Sequence, residues 1–177
     1  YMADADEGTN NRQSYWPRGK VLGGSSSINA MVYIRGHKAD FDAWEAAGNP
    51  GWGYQDVLPY FKRSETNQLG EDEYRGGYGP LHVADVSGEL HPLCNHFINA
   101  GKQLGLKENT NFNGAEQEGI GLYQTTTHKG FRQSTAKAFL YPALKRPNVS
   151  LVTHAQATKV LCKGNKAIGV EYQHKGK

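Results

Sequence analysis

The stretch that decides the fold is "RGKVLGGSSSINAMVYIRG", residues 18–36. An apolar pair leads into two glycines, three serines and an isoleucine–asparagine pair, and a second apolar run follows. Glycine lets a ligand approach the main chain closely, and free N–H groups at a helix start bind anions. Serine and asparagine side chains add donors. The pattern fits a site for a phosphate or a flat, polar-edged cofactor, and it also fits a glycine-rich turn before a buried helix.

Two better-known glycine motifs are excluded at this position. A phosphate-binding P-loop requires G-x-x-x-x-G-K-[ST], whereas Lys20 precedes the glycine pair here. A hydrolase nucleophile elbow requires G-x-S-x-G, and no glycine follows the serines at that spacing. The stretch therefore needs a different explanation.

Composition excludes several classes of protein. The 177 residues carry 20 basic and 17 acidic side chains, which are interspersed along the chain, so nucleic-acid binding is disfavoured. No apolar run approaches the 18 residues of a membrane span. Cys94 and Cys162 lie far apart, which supports neither a disulfide framework nor a zinc site, and we expect no metal. Because the chain begins at Tyr1 and stops within "YQHKGK", we expect a piece of a longer protein.

The spacing of apolar residues predicts a mixed α and β fold. Helices are expected over residues 37–48, 54–65, 91–105 and 134–146, and strands over 81–86, 120–128 and within 149–172, where "KGNK" indicates a hairpin. Residues 64–80 are charged and rich in glycine, which predicts a surface loop. Pro59 predicts a kink or an early end of the second helix, and Ser134 is the expected N-cap of the fourth.

The third predicted helix has the clearest pattern. Its apolar residues recur at i, i+4, i+7 and i+11, which predicts one buried face made of Leu93, Phe97, Ala100 and Leu104. A separate aromatic cluster, residues 44–61, fits either a cage for a quaternary ammonium group or the packing of two short helices. The seven histidines show no metal-binding spacing, and we interpret all of them as structural or solvated.

Residues 19–40, "GKVLGGSSSINAMVYIRGHKAD", resemble the first signature of the glucose–methanol–choline (GMC) oxidoreductases, a family of flavin-dependent alcohol oxidoreductases. The positions that match the signature are Gly19, Lys20, Leu22, Gly23, Gly24, Ser25, Ser26, Ile28, Asn29, Tyr33, Gly36 and Asp42. Residues 41–65, 74–83, 111–124, 130–155 and 167–172 are similar, in the same order, to the choline dehydrogenase-like branch.

The resemblance implies an internal part of an FAD-binding domain of mixed α/β class, with pieces of the substrate domain. Residues 1–36 would be the FAD-binding signature region, residues 37–148 a helical and loop region bridging the FAD and substrate domains, and residues 149–177 strands of the FAD-binding sheet. The family's G-x-G-x-x-G fingerprint and its catalytic histidine are absent from the chain. We therefore expect no catalytic residue within it, and the piece alone to be inactive.

The resemblance also assigns a cofactor site. The segment from Val21 to Val32 would wrap FAD, with Gly23, Gly24 and Ser25 against the pyrophosphate and ribityl part. Asn29, Ala30, Met31 and Val32 would approach the isoalloxazine ring, and the main chain of Ala157 would pair with the adenine. Some family members bind flavin covalently through a histidine where this chain has Ile28, so we expect non-covalent FAD.

The implied reaction is oxidation of a primary alcohol, choline-like or aliphatic, to the aldehyde, with hydride transfer to flavin N5 and electrons passed to a quinone or similar acceptor. An oxidase of the same family, which uses oxygen, and a non-catalytic structural fragment are the alternatives. We expect a cytoplasmic protein or one peripheral at the inner membrane, without a nucleic-acid partner.

Overall fold

The computed structural model describes residues 1–175 and contains two compact units, Tyr1–Tyr141 and Pro142–Lys177. In chain order, its helices and strands are α1 (Lys38–Ala46), α2 (Tyr54–Ser64), β1 (Glu65–Asn67), β2 (Leu81–Val83), α3 (Leu93–Gln103), β3 (Thr127–His128), β4 (Phe131–Arg132), α4 (Tyr141–Ala143), β5 (Ala155–Lys163) and β6 (Lys166–His174). The predicted mixed α and β class is confirmed. The three-part division expected from the sequence stays a prediction.

Helices α1 and α2 form where the sequence predicts them. The His37 side chain caps α1 by accepting a hydrogen bond from the Ala39 N–H at 3.1 Å. Helix α2 continues through Pro59 to Ser64, so the proline does not end it early. The ring of Phe41 lies edge to face with Phe61 at 5.6 Å, so Phe61 of the aromatic cluster packs α2 against α1.

The expected surface loop over residues 64–80 is corrected at its start. Residues 65–67 form β1, which pairs in parallel with β2 in the register Glu65 to Leu81. Glu65 is 1% exposed and Asn67 is also buried. The charged composition predicted exposure. The carboxylate of Glu65 instead forms a buried ion pair with Arg35, which the local sequence does not reveal.

Helix α3 exists as predicted, but its predicted buried face is wrong. Phe97 is 74% exposed and Leu104 is 85% exposed, and Leu93 and Ala100 are exposed as well. The inward face carries Cys94, Ile98 and Gly101 instead. A Cβ on Gly101 would lie 2.2 Å from the Ile120 side chain, so the absence of a side chain there lets the helix approach Ile120 closely.

The expected strand over residues 120–128 is mostly extended chain without a continuous partner. Only Thr127–His128 forms a strand, β3, which pairs antiparallel with β4 through a tight turn at Lys129 and Gly130. Thr125 forms single bridges to Val32 on one side and Ala84 on the other. This segment therefore joins the region after the glycine motif to the chain that follows β2.

The predicted helix over residues 134–146 is shorter and less regular than expected. One turn of π-helix spans Ala136–Leu140 and continues into α4. Ser134 partly fulfils its expected role, since its Oγ accepts from the Lys137 N–H at 3.4 Å.

The second unit is dominated by one antiparallel hairpin, β5 and β6. The predicted "KGNK" turn joins them, with Gly164 at φ +58°, but residues 149–154 form no strand. Every residue of both strands is exposed. Residues 176 and 177 of the expected strand region lie outside the described residues.

Within residues 1–175, no helix is long and apolar enough to cross a membrane. Over the same residues, no three His, Cys, Asp or Glu side chains lie close enough together to hold a metal ion.

Candidate functional site

The glycine pair adopts a backbone conformation that other residues rarely adopt. Gly23 has φ +89° and Gly24 has φ +54°, and a short 3₁₀ turn, Gly24–Ser27, follows. A Cβ on Gly23 would lie 2.5 Å from Ser27 Oγ and 3.3 Å from the Ala136 backbone. A Cβ on Gly24 would meet no atom within 4 Å. Gly23 therefore permits close packing inside the protein, whereas Gly24 borders open space.

The three serines mainly stabilise the turn itself. Ser26 Oγ donates to Gly23 O and accepts from the Thr135 N–H at 2.9 Å, and Ser27 Oγ donates to Leu22 O at 2.8 Å. Ser25 Oγ accepts from the Gly19 N–H at 3.2 Å. Two of the three hydroxyls expected to serve a ligand as donors are thus already donating, and only the Ser25 hydroxyl keeps a hydrogen without an acceptor among the described residues.

Several carbonyl groups of residues 21–32, the open loop, accept hydrogen bonds from other residues of the protein. Leu22 O accepts from Ser27 Oγ, Asn29 O accepts from Arg132 Nη1 at 2.8 Å, and Met31 O accepts from the Thr126 N–H at 2.8 Å. A trans peptide is planar, with its N–H opposite its C=O, and no cis peptide occurs among the described residues. The next N–H groups, those of Gly23, Ala30 and Val32, therefore point away from these partners. None of the three finds an acceptor within residues 1–175.

Apolar side chains lie uncovered on the same loop. Their exposed fractions run from 39% to 59%, for Val21, Leu22, Ile28 and Val32. Free N–H donors beside uncovered apolar groups match a flat ring system with polar edges, and the free N–H of the left-handed Gly23 matches a phosphate. The residues present therefore fit the FAD that the resemblance implies.

Met31 has the least usual backbone of the open loop. Its φ is +64°, which costs a residue with a Cβ on the order of 1–3 kcal/mol. Asn29 Oδ1 accepts from the Met31 N–H at 3.1 Å, and Thr126 donates to the Met31 carbonyl from its N–H and its hydroxyl. Together, these three hydrogen bonds hold Met31 in its strained conformation. Backbone strain held in this way is common at ligand-binding positions.

Ala157 lies in β5 of the second unit, exposed and opposite Tyr172. The register of the hairpin shifts between Ala157 and Lys159, so a bulge follows the alanine. Gln156 Nε2 donates to the Ala157 carbonyl at 3.2 Å. Its predicted contact with adenine stays a prediction, as do the assigned contacts of the open loop.

Sequence reasoning missed a buried polar cluster that begins one residue after the open loop. Arg35 forms a buried ion pair with Glu65, which also accepts from the Tyr33 hydroxyl at 3.2 Å. Asn67 Nδ2 donates to Glu65 and to Gln124 Oε1, the latter at 3.1 Å. These five residues are called the polar cluster.

The polar cluster shifts two pKa values. Burial, followed by the charge of Glu65, raises the pKa of Tyr33 to about 12. Burial alone would lower the pKa of Arg35, but its coupling to Tyr33 and Glu65 raises it. At neutral pH, Tyr33 is therefore a neutral phenol and Arg35 a guanidinium cation.

The backbone around Arg35 is anchored as firmly as its side chain. The Arg35 N–H donates to Asn113 Oδ1 at 2.7 Å, and its carbonyl accepts from Gln117 Nε2 at 3.0 Å. Arg35 Nη1 donates to the Tyr74 carbonyl at 2.8 Å. The chain that follows the open loop is therefore fixed to the segment of Asn113 and Gln117 and to the segment of Tyr74.

A second missed feature is a cavity of about 620 Å³ beside Met31. The rings of His82 and His128 face each other in its wall with centroids 3.8 Å apart. Partial burial, then the nearby His128 and Lys129, lowers the pKa of His82. The proximity of the two histidines follows from the pairing of residues distant in sequence, which no local motif reports.

Arg132 and Thr135, which hold the open loop, were also missed as functional residues. The only sequence sign was their place in "GFRQSTAKAFL", one of the segments that resembles the family.

Comparisons with known proteins show which family the chain resembles over most of its length. The GMC oxidoreductase family pattern matches residues 5–177. The chain is 50% identical over 177 residues to an oxygen-dependent choline dehydrogenase of Sinorhizobium fredii, covering 100% of this chain and 32% of that protein. It is 50% identical over 167 residues to an alcohol dehydrogenase [acceptor] of Pseudomonas putida, covering 94% of this chain and 30% of that one. The chain thus spans about a third of the length of these relatives.

Solved structures share the fold. Pyridoxine 4-oxidase from Mesorbium loti superposes with a TM-score of 0.87 at 35% identity, covering 99% of this chain and 35% of that one. An FAD-dependent oxidoreductase from Chaetomium thermophilum gives a TM-score of 0.84 at 30% identity, covering 98% and 32%.

Proposed function

The chain belongs to the GMC oxidoreductase family, and on that premise we propose that the whole protein oxidises a primary alcohol to an aldehyde. The N-terminal domain of this family binds FAD, and the mixed fold matches the FAD-binding domains of solved members. Chemically, the alcohol loses a hydride from its carbon and a proton from its hydroxyl. The chemistry that FAD supplies when bound is acceptance of that hydride.

The observation that carries the proposal is the open loop. It presents the free N–H groups of Gly23, Ala30 and Val32, together with uncovered apolar side chains. Gly23, Gly24 and Ser25 would hold the pyrophosphate and ribityl part, whereas Asn29 to Val32 would lie at the ring. The main chain of Ala157 would contact the adenine.

The proposed FAD is non-covalent. Position 28 carries an isoleucine, which has no nucleophilic atom and whose side chain is 55% exposed. Acid precipitation of the full-length protein should leave all the flavin in the supernatant, measured by its absorbance near 450 nm. Flavin that stays with the precipitate would overturn this part of the proposal.

The proposed substrate is a choline-like or aliphatic primary alcohol. Relatives named choline dehydrogenase and alcohol dehydrogenase [acceptor], each 50% identical to this chain, support this class. We place the group that takes the hydroxyl proton outside residues 1–177, and we therefore expect residues 1–177 alone to be inactive.

The proposed electron acceptor is a quinone or a similar molecule. The name alcohol dehydrogenase [acceptor] of one relative supports it. A second candidate is oxygen, because other relatives are named oxygen-dependent choline dehydrogenase and one solved relative is an oxidase. With a quinone acceptor, we propose that the protein is cytoplasmic or lies peripherally at the inner membrane.

One experiment separates these candidates. The full-length protein is purified, and a panel of choline, aliphatic and aryl alcohols is tested with an artificial electron acceptor under nitrogen and with peroxide detection in air. Acceptor reduction with a choline-like or aliphatic alcohol, without matching peroxide, supports the first candidate. Stoichiometric peroxide favours the oxidase. A colourless protein that takes up no FAD would overturn both and favour a non-catalytic role.

A further inference from the structure

Arg132, at the end of β4, reaches across the chain to the open loop. Its Nη1 donates to Ser26 O at 3.1 Å, to Asn29 O at 2.8 Å and to Asn29 Oδ1 at 2.8 Å. One nitrogen carries only two hydrogens, so the three oxygens share them. The three oxygens therefore converge on a single positively charged group.

This contact sets the direction of one peptide group. Because Asn29 O faces Arg132, the N–H of Ala30 must point the opposite way. That N–H has no acceptor among the described residues. Arg132 thus holds the negative end of the Asn29–Ala30 peptide dipole and leaves the positive end facing the open side of the loop.

The same contact supports the strained residue that follows. Asn29 Oδ1, which accepts from Arg132, also accepts from the Met31 N–H. A hydrogen bond that involves a charged donor is roughly twice as strong as a neutral one. Arg132 therefore fixes the Asn29 side chain in the position that keeps Met31 at φ +64°.

The charge of Arg132 is not neutralised within the described part of the chain. Arg35 is paired with Glu65, but no carboxylate of residues 1–175 forms an ion pair with Arg132. Arg132 as a whole is half-buried, and a charge partly shielded from water acts more strongly than one in bulk water. An unpaired cation and an outward N–H dipole both favour additional negative charge on a ligand at this loop.

We propose that Arg132 is a positioning residue that orients the open loop toward FAD and makes the reduction of the bound flavin more favourable. The inference rests on the proposed function, since it takes the flavin ring to lie at Asn29–Val32. Arg132 acts through the Asn29–Ala30 peptide and through its charge, and it takes no proton or hydride itself.

The test uses the full-length protein with FAD and three variants: Arg132→Gln, Arg132→His and, as a control, Arg63→Gln, which removes an exposed arginine of α2. The two-electron midpoint potential of the flavin is measured against a reference dye from pH 5.5 to pH 8. The Kd of the apoprotein for FAD is measured by fluorescence quenching. We expect Arg132→Gln to reduce the preference for reduced over oxidised FAD at least tenfold, a fall of about 30 mV.

Arg132→His separates charge from structure within one folded protein. A histidine with an ordinary pKa of about 6.5 is charged at pH 5.5 and neutral at pH 8. Its potential should lie close to that of the wild type at pH 5.5 and fall to that of Arg132→Gln at pH 8. A purely structural effect would give a difference that does not depend on pH.

A potential of Arg132→Gln equal to that of Arg63→Gln would overturn the inference, and so would a difference in Arg132→His that is independent of pH. Either variant decides the question if the other does not fold. Failure of the wild-type protein to bind FAD would instead overturn the proposed function, so the two failures are distinguishable.

Discussion

The open loop and the polar cluster are neighbours in sequence and opposites in structure. Val32 ends the first, and Tyr33 begins the second. In the polar cluster, Arg35 and Glu65 are buried and paired, and amides and a phenol surround them. In the open loop, the N–H groups of Gly23, Ala30 and Val32 have no acceptor within residues 1–175 and apolar side chains are uncovered.

The difference separates polar groups that maintain the fold from polar groups available to a ligand. Buried donors and acceptors must find partners inside the protein, and those of the polar cluster mostly do. In the open loop, the carbonyls of Leu22, Asn29 and Met31 accept hydrogen bonds from the protein. The N–H on the opposite side of each of these planar peptides points away from that partner and has no acceptor within residues 1–175. The polar cluster thus fixes the chain that follows the open loop, whereas Ser27, Arg132 and Thr126 hold the carbonyls of the loop itself.

The largest effect is expected when the polar cluster is broken. Glu65→Gln leaves the Arg35 cation buried without its counter-charge, and we expect a loss of about 3–5 kcal/mol in the free energy of unfolding. The matched control is Glu108→Gln, which removes one partner of the exposed Lys102–Glu108 ion pair and should cost no more than about 1 kcal/mol. Urea denaturation of the full-length protein measures both. Equal costs would contradict the distinction.

The next effect concerns the open loop. At Gly24 and at Gly70, φ is positive and a Cβ would meet no atom within 4 Å, so an alanine strains the backbone at both without a clash. Gly24→Ala should weaken FAD binding by the apoprotein about tenfold or more, because its methyl group enters the space proposed for the cofactor. Gly70→Ala should leave the Kd unchanged. An equally small change in the Kd for FAD in both variants would contradict the placement of Gly24 in the cofactor site.

A smaller effect is expected from Tyr33→Phe. The pKa of Tyr33 is raised to about 12, above its ordinary value of about 10, so the folded state favours the neutral phenol. The resulting stability is present below pH 10 and is lost as the pH rises toward 12, by about 1.4 kcal/mol per pH unit at most. The wild type should therefore lose stability more steeply than Tyr33→Phe between pH 10 and 11.5. Parallel urea curves for the two proteins over this range would contradict the shift.

The smallest effect concerns the histidine pair beside Met31. The pKa of His82 is lowered, so the unfolded state binds the proton more tightly than the folded state. Stability is fully present above the ordinary pKa of about 6.5 and falls as the pH drops below it. His82→Gln should flatten this dependence between pH 7 and 5 in thermal unfolding, whereas His96→Gln, on the exposed surface of α3, should not. If the melting temperatures of the two variants changed equally with pH, the His82–His128 pair would have no role in this pH dependence.

Local sequence patterns predicted the positions of the helices and of the hairpin better than they predicted which residues are buried. Helices α1, α2 and α3 and the β5–β6 hairpin lie where caps, periodicity and turn residues place them. The buried face of α3 was wrong because Gly101, without a side chain, packs against Ile120, which lies far away in sequence. Glu65 was assigned to a surface loop because its partner, Arg35, is 30 residues away.

By itself, the sequence determined the turn of the glycine motif and, through its resemblance to a family, the cofactor to expect there. Only Gly23 and Gly24 readily supply the left-handed backbone that this turn requires. Tertiary structure alone decided which groups of the open loop remain free. Arg132 and Thr126 come from about 100 residues further along the chain and hold the loop carbonyls, so the direction of the opposite N–H groups is set only after the chain has folded.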